Sequence, residues 1–262
     1  MKKGCSMMET IQVKKTGKTG WIRFHRPEVR NAVNQKMMEE LESVWNEWEK
    51  DEQLQAVVFY GDEKAFLSGG DVGEFHQMTK TEEIRPVMLR MGKCLERIYQ
   101  SHLLSIAAVE GPAVGGGCEF ATSCDLCVSS DSARFGMIQV NLHITSGWGG
   151  ASRLMKKIGP GRALPVLLSG KVMEAREAFE TGLVDRVWER DRFWDEVKRF
   201  VDSLVKGSPE VTARYKLLAK AVREGKDTAE LLHQEAENCA ALWESESHHR
   251  AVSDFLKRTR TK

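Results

Sequence analysis

The chain has 262 residues, with 39 basic and 38 acidic side chains and a net charge of +1. That length suits one sizeable α/β core, and the charge balance leaves no electrostatic footprint for nucleic acid. Cys5, Cys94, Cys118, Cys124, Cys127 and Cys239 are too scattered for a disulfide framework, and no apolar run approaches membrane-spanning length, so the expectation is a soluble cytoplasmic protein.

In chain order, Ile11 to Lys15 and Trp21 to Phe24 predict two strands of a hairpin around Thr16 to Gly20. After His25-Arg26-Pro27 and Asn31-Ala32, the apolar residues Met37, Leu41, Val44, Trp45 and Trp48 recur at helical spacing. A buried strand is predicted at Ala56 to Tyr60, followed by the glycine turn Lys64-Ala65-Phe66-Leu67-Ser68-Gly69-Gly70-Asp71. An amphipathic helix spans about Glu82 to Gln100, with Ile84, Val87, Met88, Met91, Leu95 and Ile98 on one face.

Ser105 to Val109 reads as a second buried strand. Gly111-Pro112 turns the chain, and three glycines run into Cys118-Glu119-Phe120-Ala121 as the first turn of a buried helix. Exposed N–H groups at such a helix start can hold an oxygen on which negative charge develops. Gly116 is placed to supply such a donor, and Glu119 sets a proton-carrying carboxylate beside the same oxygen.

Leu126 to Ser129 reads as a strand. Helical segments follow near Ala151 to Ile158, Gly161 to Ser169, Glu174 to Thr181, Asp191 to Val205, Pro209 to Arg223 and Thr228 to Leu256. Trp188, Phe193, Trp194, Trp243 and Phe255 are expected to be exposed. The basic segment Lys257 to Lys262 is expected to be a solvated tail. Cys124 and Cys127 form C-x-x-C with no second pair at zinc-finger spacing, so no structural metal is expected. Neither a Walker motif nor G-x-G-x-x-G is present, which leaves nucleotide hydrolysis and dinucleotide binding without support.

The segments KAFLSGGD (Lys64 to Asp71) and EGPAVGGGCEF (Glu110 to Phe120) resemble the two signature segments of the enoyl-CoA hydratase/isomerase, or crotonase, family. The resemblance continues through Arg134-Phe135-Gly136 and Gly147-Trp148-Gly149-Gly150. It implies an α/β fold, a crotonase-like spiral of ββα units followed by a C-terminal helical region. The spiral core with the acyl-CoA site is expected over residues 1–200, and a helical trimerisation region over residues 201–262.

The family's two oxyanion-hole donors correspond to Gly70 and Gly116. Arg26, Lys64, Ala65, Ser68, Asp71, His143 and Trp148 are the implied substrate-binding residues, with Arg30 a further phosphate contact. Asp71 is also suited to bracing the glycine turn. Glu74 and His76 are placed to face the acyl pocket or solvent. The implied partner is an acyl-CoA thioester, with coenzyme A part of the substrate and no separate cofactor. The implied assembly is a homotrimer or dimer of trimers.

Hydratases of the family use two carboxylates. Glu119 matches the first, but the second falls on Gln139, whose amide neither takes nor gives a proton at neutral pH. Three readings stay open: a hydratase or isomerase using Glu119, with His143 as a second relay; a decarboxylase of a methylmalonyl- or ethylmalonyl-like CoA thioester; and an acyl-CoA-binding subunit with little catalysis.

Overall fold

The structure is a computed structural model and describes residues 8–260. Expectations for Met1 to Met7, including Cys5, and for Thr261 and Lys262 lie outside the described residues. Strands β1 (Ile11–Thr16) and β2 (Thr19–Phe24) form the hairpin, turning at Gly17 with φ +56°. Helix α1 (Gln35–Trp48) starts where the Asn34 side chain accepts the Met37 N–H at 2.9 Å. It buries Met37, Leu41, Val44, Trp45 and Trp48.

Strand β3 (Ala56–Tyr60) is followed by the glycine turn, a single helical turn α2 (Val72–Phe75) and the long helix α3 (Thr81–Gln100). Then come β4 (Leu104–Val109), β5 (Pro112–Val114), α4 (Gly116–Ala121), β6 (Leu126–Ser130) and β7 (Arg134–Gly136), with a short 3-10 helix at Ile138–Leu142. Helices α5 (Gly150–Ile158) and α6 (Pro160–Ser169), strand β8 (Met173–Glu174), helix α7 (Ala175–Thr181) and strand β9 (Arg186–Trp188) complete the spiral. The chain ends in α8 (Phe193–Leu204), α9 (Pro209–Arg223), α10 (Thr228–Trp243) and α11 (Glu246–Arg260).

The main sheet has the order β1-β2-β3-β4-β6-β9, parallel except for the β1/β2 pair. Both of its faces are covered, which is why β3 and β4 read as unbroken apolar runs rather than alternating ones. Val57 and Phe59 point into the larger core, where the Phe120 ring lies 5.1 Å from Phe24 and 5.0 Å from Phe59. Val58, Ile106 and Val128 point to the opposite face, where Phe193, Val197 and Val201 of α8 pack on them. The expected exposure of Trp188, Phe193 and Trp194 is therefore corrected. Phe193 is fully buried, and Trp188 and Trp194 pack against this second core.

A second sheet, β5-β7-β8, stands beside the first, and it brings the site together. Parallel pairing of Val114 with Gly136 sets α4 and the Ile138–Leu142 turn side by side. Single bridges join Leu67 to Ala113 and Val33 to Gly70, fastening the first glycine turn to the same place. The approach is close enough to require glycine: a methyl group on Gly117 would lie 1.9 Å from the Leu67 carbonyl oxygen.

Helix α9 docks on the core through buried charges. Lys216 pairs with Asp125, which also accepts Ser105 Oγ at 2.7 Å, and the Arg223 guanidinium lies 4.2 Å over the Tyr99 ring. Burial lowers the Lys216 pKa despite that pairing. The single helix expected over Thr228 to Leu256 is instead two. Ser245 Oγ hydrogen-bonds back to the Leu242 carbonyl at 2.6 Å and accepts the His248 N–H at 3.2 Å, ending α10 and starting α11. The basic segment from Lys257 to Arg260 continues α11 rather than forming a tail. Among the described residues no helix is long and apolar enough to cross a membrane.

Candidate active site

Glu119 sits in α4, 2 % exposed, with its carboxylate surrounded by donors. Oε1 accepts Gln139 Nε2 at 2.8 Å and the Gly147 N–H at 3.3 Å. Oε2 accepts the N–H groups of Trp148 and Gly150, both at 2.9 Å. Three backbone amides, of Gly147, Trp148 and Gly150, and one side-chain amide thus cradle a buried carboxylate. Only the NH2 of Gln139 can donate to a carboxylate, so its orientation is fixed by its partner.

The loop needs Gly149 at φ +85° to turn its amides inward, and Gly150 because a Cβ there would lie 2.4 Å from Glu119 Cγ. Arg153, one turn into α5 and 6 % exposed, holds both sides of the cradle. Its Nη1 donates to the Trp148 carbonyl at 2.8 Å and to Ser123 Oγ at 3.0 Å, and its Nη2 to Glu96 at 2.8 Å. Ser123 Oγ in turn donates to the Glu119 backbone carbonyl at 2.7 Å. Sequence reasoning missed Arg153 and Ser123, because their partners lie on other segments. The available signal was an arginine one turn after a glycine pair.

The two glycine segments meet beside this carboxylate. A methyl group on Gly69 would lie 3.2 Å from the Gly116 nitrogen. The Gly116 N–H opens α4 and so lacks an intrahelical acceptor. At the Val33 bridge the ladder bonds run to the Gly69 carbonyl and from the Asp71 N–H, leaving the Gly70 N–H outside it. The Trp148 indole, 3 % exposed, lies against both glycines. A methyl on Gly116 would be 2.3 Å from its Cζ3, and one on Gly70 would be 3.6 Å from its Cζ2.

Other sequence candidates fall around this centre with different partners. Arg26 donates to Asp71 at 2.7 Å and to the Ala32 carbonyl at 2.6 Å, and Asp71 accepts the Glu74 N–H at 3.3 Å to start α2. This pair braces the first glycine turn. Lys64 is exposed, the Lys64 and Ala65 N–H groups donate to Asp62, and Ser68 Oγ donates to the Val29 carbonyl at 3.3 Å. Arg30 adopts φ +53° after the 3-10 turn Pro27–Val29. Glu74 accepts the Gln35 N–H at 3.2 Å, and His76 is exposed.

His143 is exposed and caps the Ile138–Leu142 turn at φ +55°. The hydrogen bonds to the Glu119 carboxylate come from Gln139 and the Gly147–Gly150 loop, and His143 is not among the donors. Cys118 and Cys127 are buried, and burial raises both thiols, that of Cys127 to about 12. Neither is a nucleophile at neutral pH. Among the described residues no cluster of three or more His, Cys, Asp or Glu could hold a metal.

The fold is a spiral of strands and helices that brings the two glycine segments together at the start of the helix carrying one buried carboxylate. The family model described as enoyl-CoA hydratase/isomerase matches residues 15–262, and the chain belongs to that family, the crotonase superfamily. A short-chain-enoyl-CoA hydratase of Clostridium acetobutylicum is 33% identical over 256 residues, 96% of each chain. An ethylmalonyl-CoA decarboxylase of Xenopus tropicalis is 29% identical over 224 residues, 85% of this chain and 75% of the relative. The crystal structure of an enoyl-CoA hydratase from Bacillus anthracis superposes with TM-score 0.90 at 25% identity, covering 95% of this chain and 97% of that one.

Proposed function

We propose that this crotonase-family enzyme acts on acyl-CoA thioesters through an enolate, with Glu119 as the proton-carrying group. The thioester oxygen is placed between the Gly70 and Gly116 N–H groups, where two preorganised donors each contribute a few kcal/mol of barrier lowering. Glu119 takes a proton from the acyl carbon chain or from water and returns it, so hydration or double-bond migration balances with one carboxylate. The observation that carries this reading is the buried Glu119 carboxylate on the helix that opens at Gly116, where the family's two signature glycine segments meet. Arg26, Lys64, Ala65, Ser68, Asp71 and Trp148 complete the proposed site, with Arg26 and Asp71 acting by holding the turn that carries Gly70.

Decarboxylation of a malonyl-type thioester is the second reading, favoured because the group 2.8 Å from Glu119, where hydratases of the family carry a second carboxylate, is the Gln139 amide, which exchanges no proton. Breaking the carbon–carbon bond leaves its electron pair on the thioester as an enolate and releases carbon dioxide, so no base is required. Protonation at the α carbon completes the reaction. The relative named an ethylmalonyl-CoA decarboxylase adds weight to it.

Mass-resolved turnover of crotonyl-CoA, methylmalonyl-CoA and ethylmalonyl-CoA by the wild type and by Glu119→Gln separates the two. Water addition lost in the variant supports the first reading, and carbon dioxide release without hydration transfers the assignment to the second. Binding of the thioesters without turnover of any leaves the non-catalytic subunit.

The C-terminal helices support a homotrimer in this proposal, with residues 201–262 as the associating region. Helix α10 buries no residue, and Trp243 and Phe255 are 61% and 65% exposed. The cysteines from Cys94 onward are free thiols, which suits a cytoplasmic setting. Sedimentation velocity tests the assembly, and a monomer at working concentration would remove it.

A further inference from the structure

We infer that the Trp148 indole is the floor of the acyl pocket and restricts this enzyme to short acyl groups. The inference rests on the acyl-CoA reading above, because it takes the thioester oxygen to lie between Gly70 and Gly116. In this inference an acyl group leaving that oxygen runs past the two glycines toward Glu119, the group that handles its proton. The six-membered ring of Trp148 already stands there. Its Cζ3, Cη2 and Cε3 lie 2.3, 2.5 and 2.8 Å from a methyl position on Gly116, and Cζ2 lies 3.6 Å from one on Gly70. The Phe75 ring closes the same flank, 3.4 Å from a methyl position on Gly70.

The indole has little freedom to move aside. The Trp148 N–H is bound to Glu119 and its carbonyl to Arg153, so moving the backbone would dismantle the carboxylate's cradle. The side chain is 3 % exposed, so rotating it would drive a large ring into packed neighbours. A long chain therefore meets a rigid aromatic surface close to the thioester, whereas a short one ends before it. Small differences in chain length against such a wall change binding by about tenfold or more.

The test is calorimetric titration of wild type, Trp148→Phe and Trp148→Ala with butyryl-CoA and decanoyl-CoA, which are saturated and undergo no hydration. Wild type is expected to bind butyryl-CoA about tenfold or more tighter than decanoyl-CoA. Trp148→Ala is expected to erase or reverse that preference. The Phe variant keeps an aromatic core residue and narrows the preference partway, so the test survives if the Ala variant does not fold. Equal binding of both thioesters by the wild type, or an unchanged preference in folded variants, would overturn the inference and leave the acyl-CoA reading standing. No binding of either thioester to folded wild type would remove that reading, and the inference with it.

Discussion

Arg153 Nη1 donates to the Trp148 carbonyl at 2.8 Å, while the Trp148 N–H donates to Glu119 at 2.9 Å. The arginine therefore holds the loop that holds the carboxylate, and through Ser123 it also holds the backbone on which Glu119 stands. Arg153→Met should lower kcat by about a hundredfold with a smaller effect on KM, since misplacing a reacting group by an ångström costs that much. Arg153→Lys should recover part of the rate, because one ammonium can reach one of the carbonyl and hydroxyl partners. Equal losses in kcat for both variants, with Tm lowered in parallel, would reduce Arg153 to a folding role.

Gly116→Ala should both destabilise the protein and impair the oxyanion site. The added methyl meets the indole at 2.3 Å, and overpacking of this kind costs about 1–3 kcal/mol. Displacement of one donor should lower kcat by about a hundredfold or more. In the double variant with Trp148→Ala the clash term should disappear, which denaturant unfolding of the four proteins would detect as a coupling energy.

Gln139→Glu would place a second carboxyl 2.8 Å from Glu119 Oε1, where the two groups must share a proton. The variant should add water to crotonyl-CoA faster than wild type, with a pH–rate profile that falls on the alkaline side as the shared proton is lost. An unchanged hydration rate would mean that the amide is not what limits water addition.

Much of this was legible before the structure. Ala56–Tyr60 and Pro209–Arg223 coincide with predicted elements because apolar runs and a proline at the helix start are local signals. The glycine segments marked Gly70, Gly116 and Glu119 as candidates through their resemblance to the family's signature segments, and the fold brings those segments together. What stayed hidden depends on distant pairing. The cradle around Glu119 joins residues up to 31 positions apart, and no local pattern marks it. Phe193 and Trp194 looked exposed because the far face of the sheet is covered by α8, a relationship set by topology rather than by periodicity. His143 is a candidate second relay in the sequence; the fold leaves it exposed at the end of the Ile138–Leu142 turn, outside the hydrogen bonds to the Glu119 carboxylate.

Glu40 gives a pH dependence independent of the site. Burial alone would raise its carboxyl, but the Thr10 hydroxyl, the Glu9 and Thr10 N–H groups and Lys36 outweigh burial and hold it below the usual carboxylate range. A group with a lowered folded-state pKa contributes stability above its unfolded pKa and loses it as pH falls through the folded value. Glu40→Gln should therefore be less stable than wild type by about 2 kcal/mol near neutral pH, with the gap closing in acid. Urea unfolding across the acid range checks this, and a gap independent of pH would contradict it.

The most direct measurement of the central claim is α-proton exchange of butyryl-CoA in deuterated water, followed by mass spectrometry with wild type and Glu119→Gln. An enolate between Gly70 and Gly116, formed by Glu119, predicts deuterium uptake by the wild type and its loss in the variant. Exchange that persists in Glu119→Gln, or wild type that binds the thioester without exchange, would contradict Glu119 as the group that carries the proton.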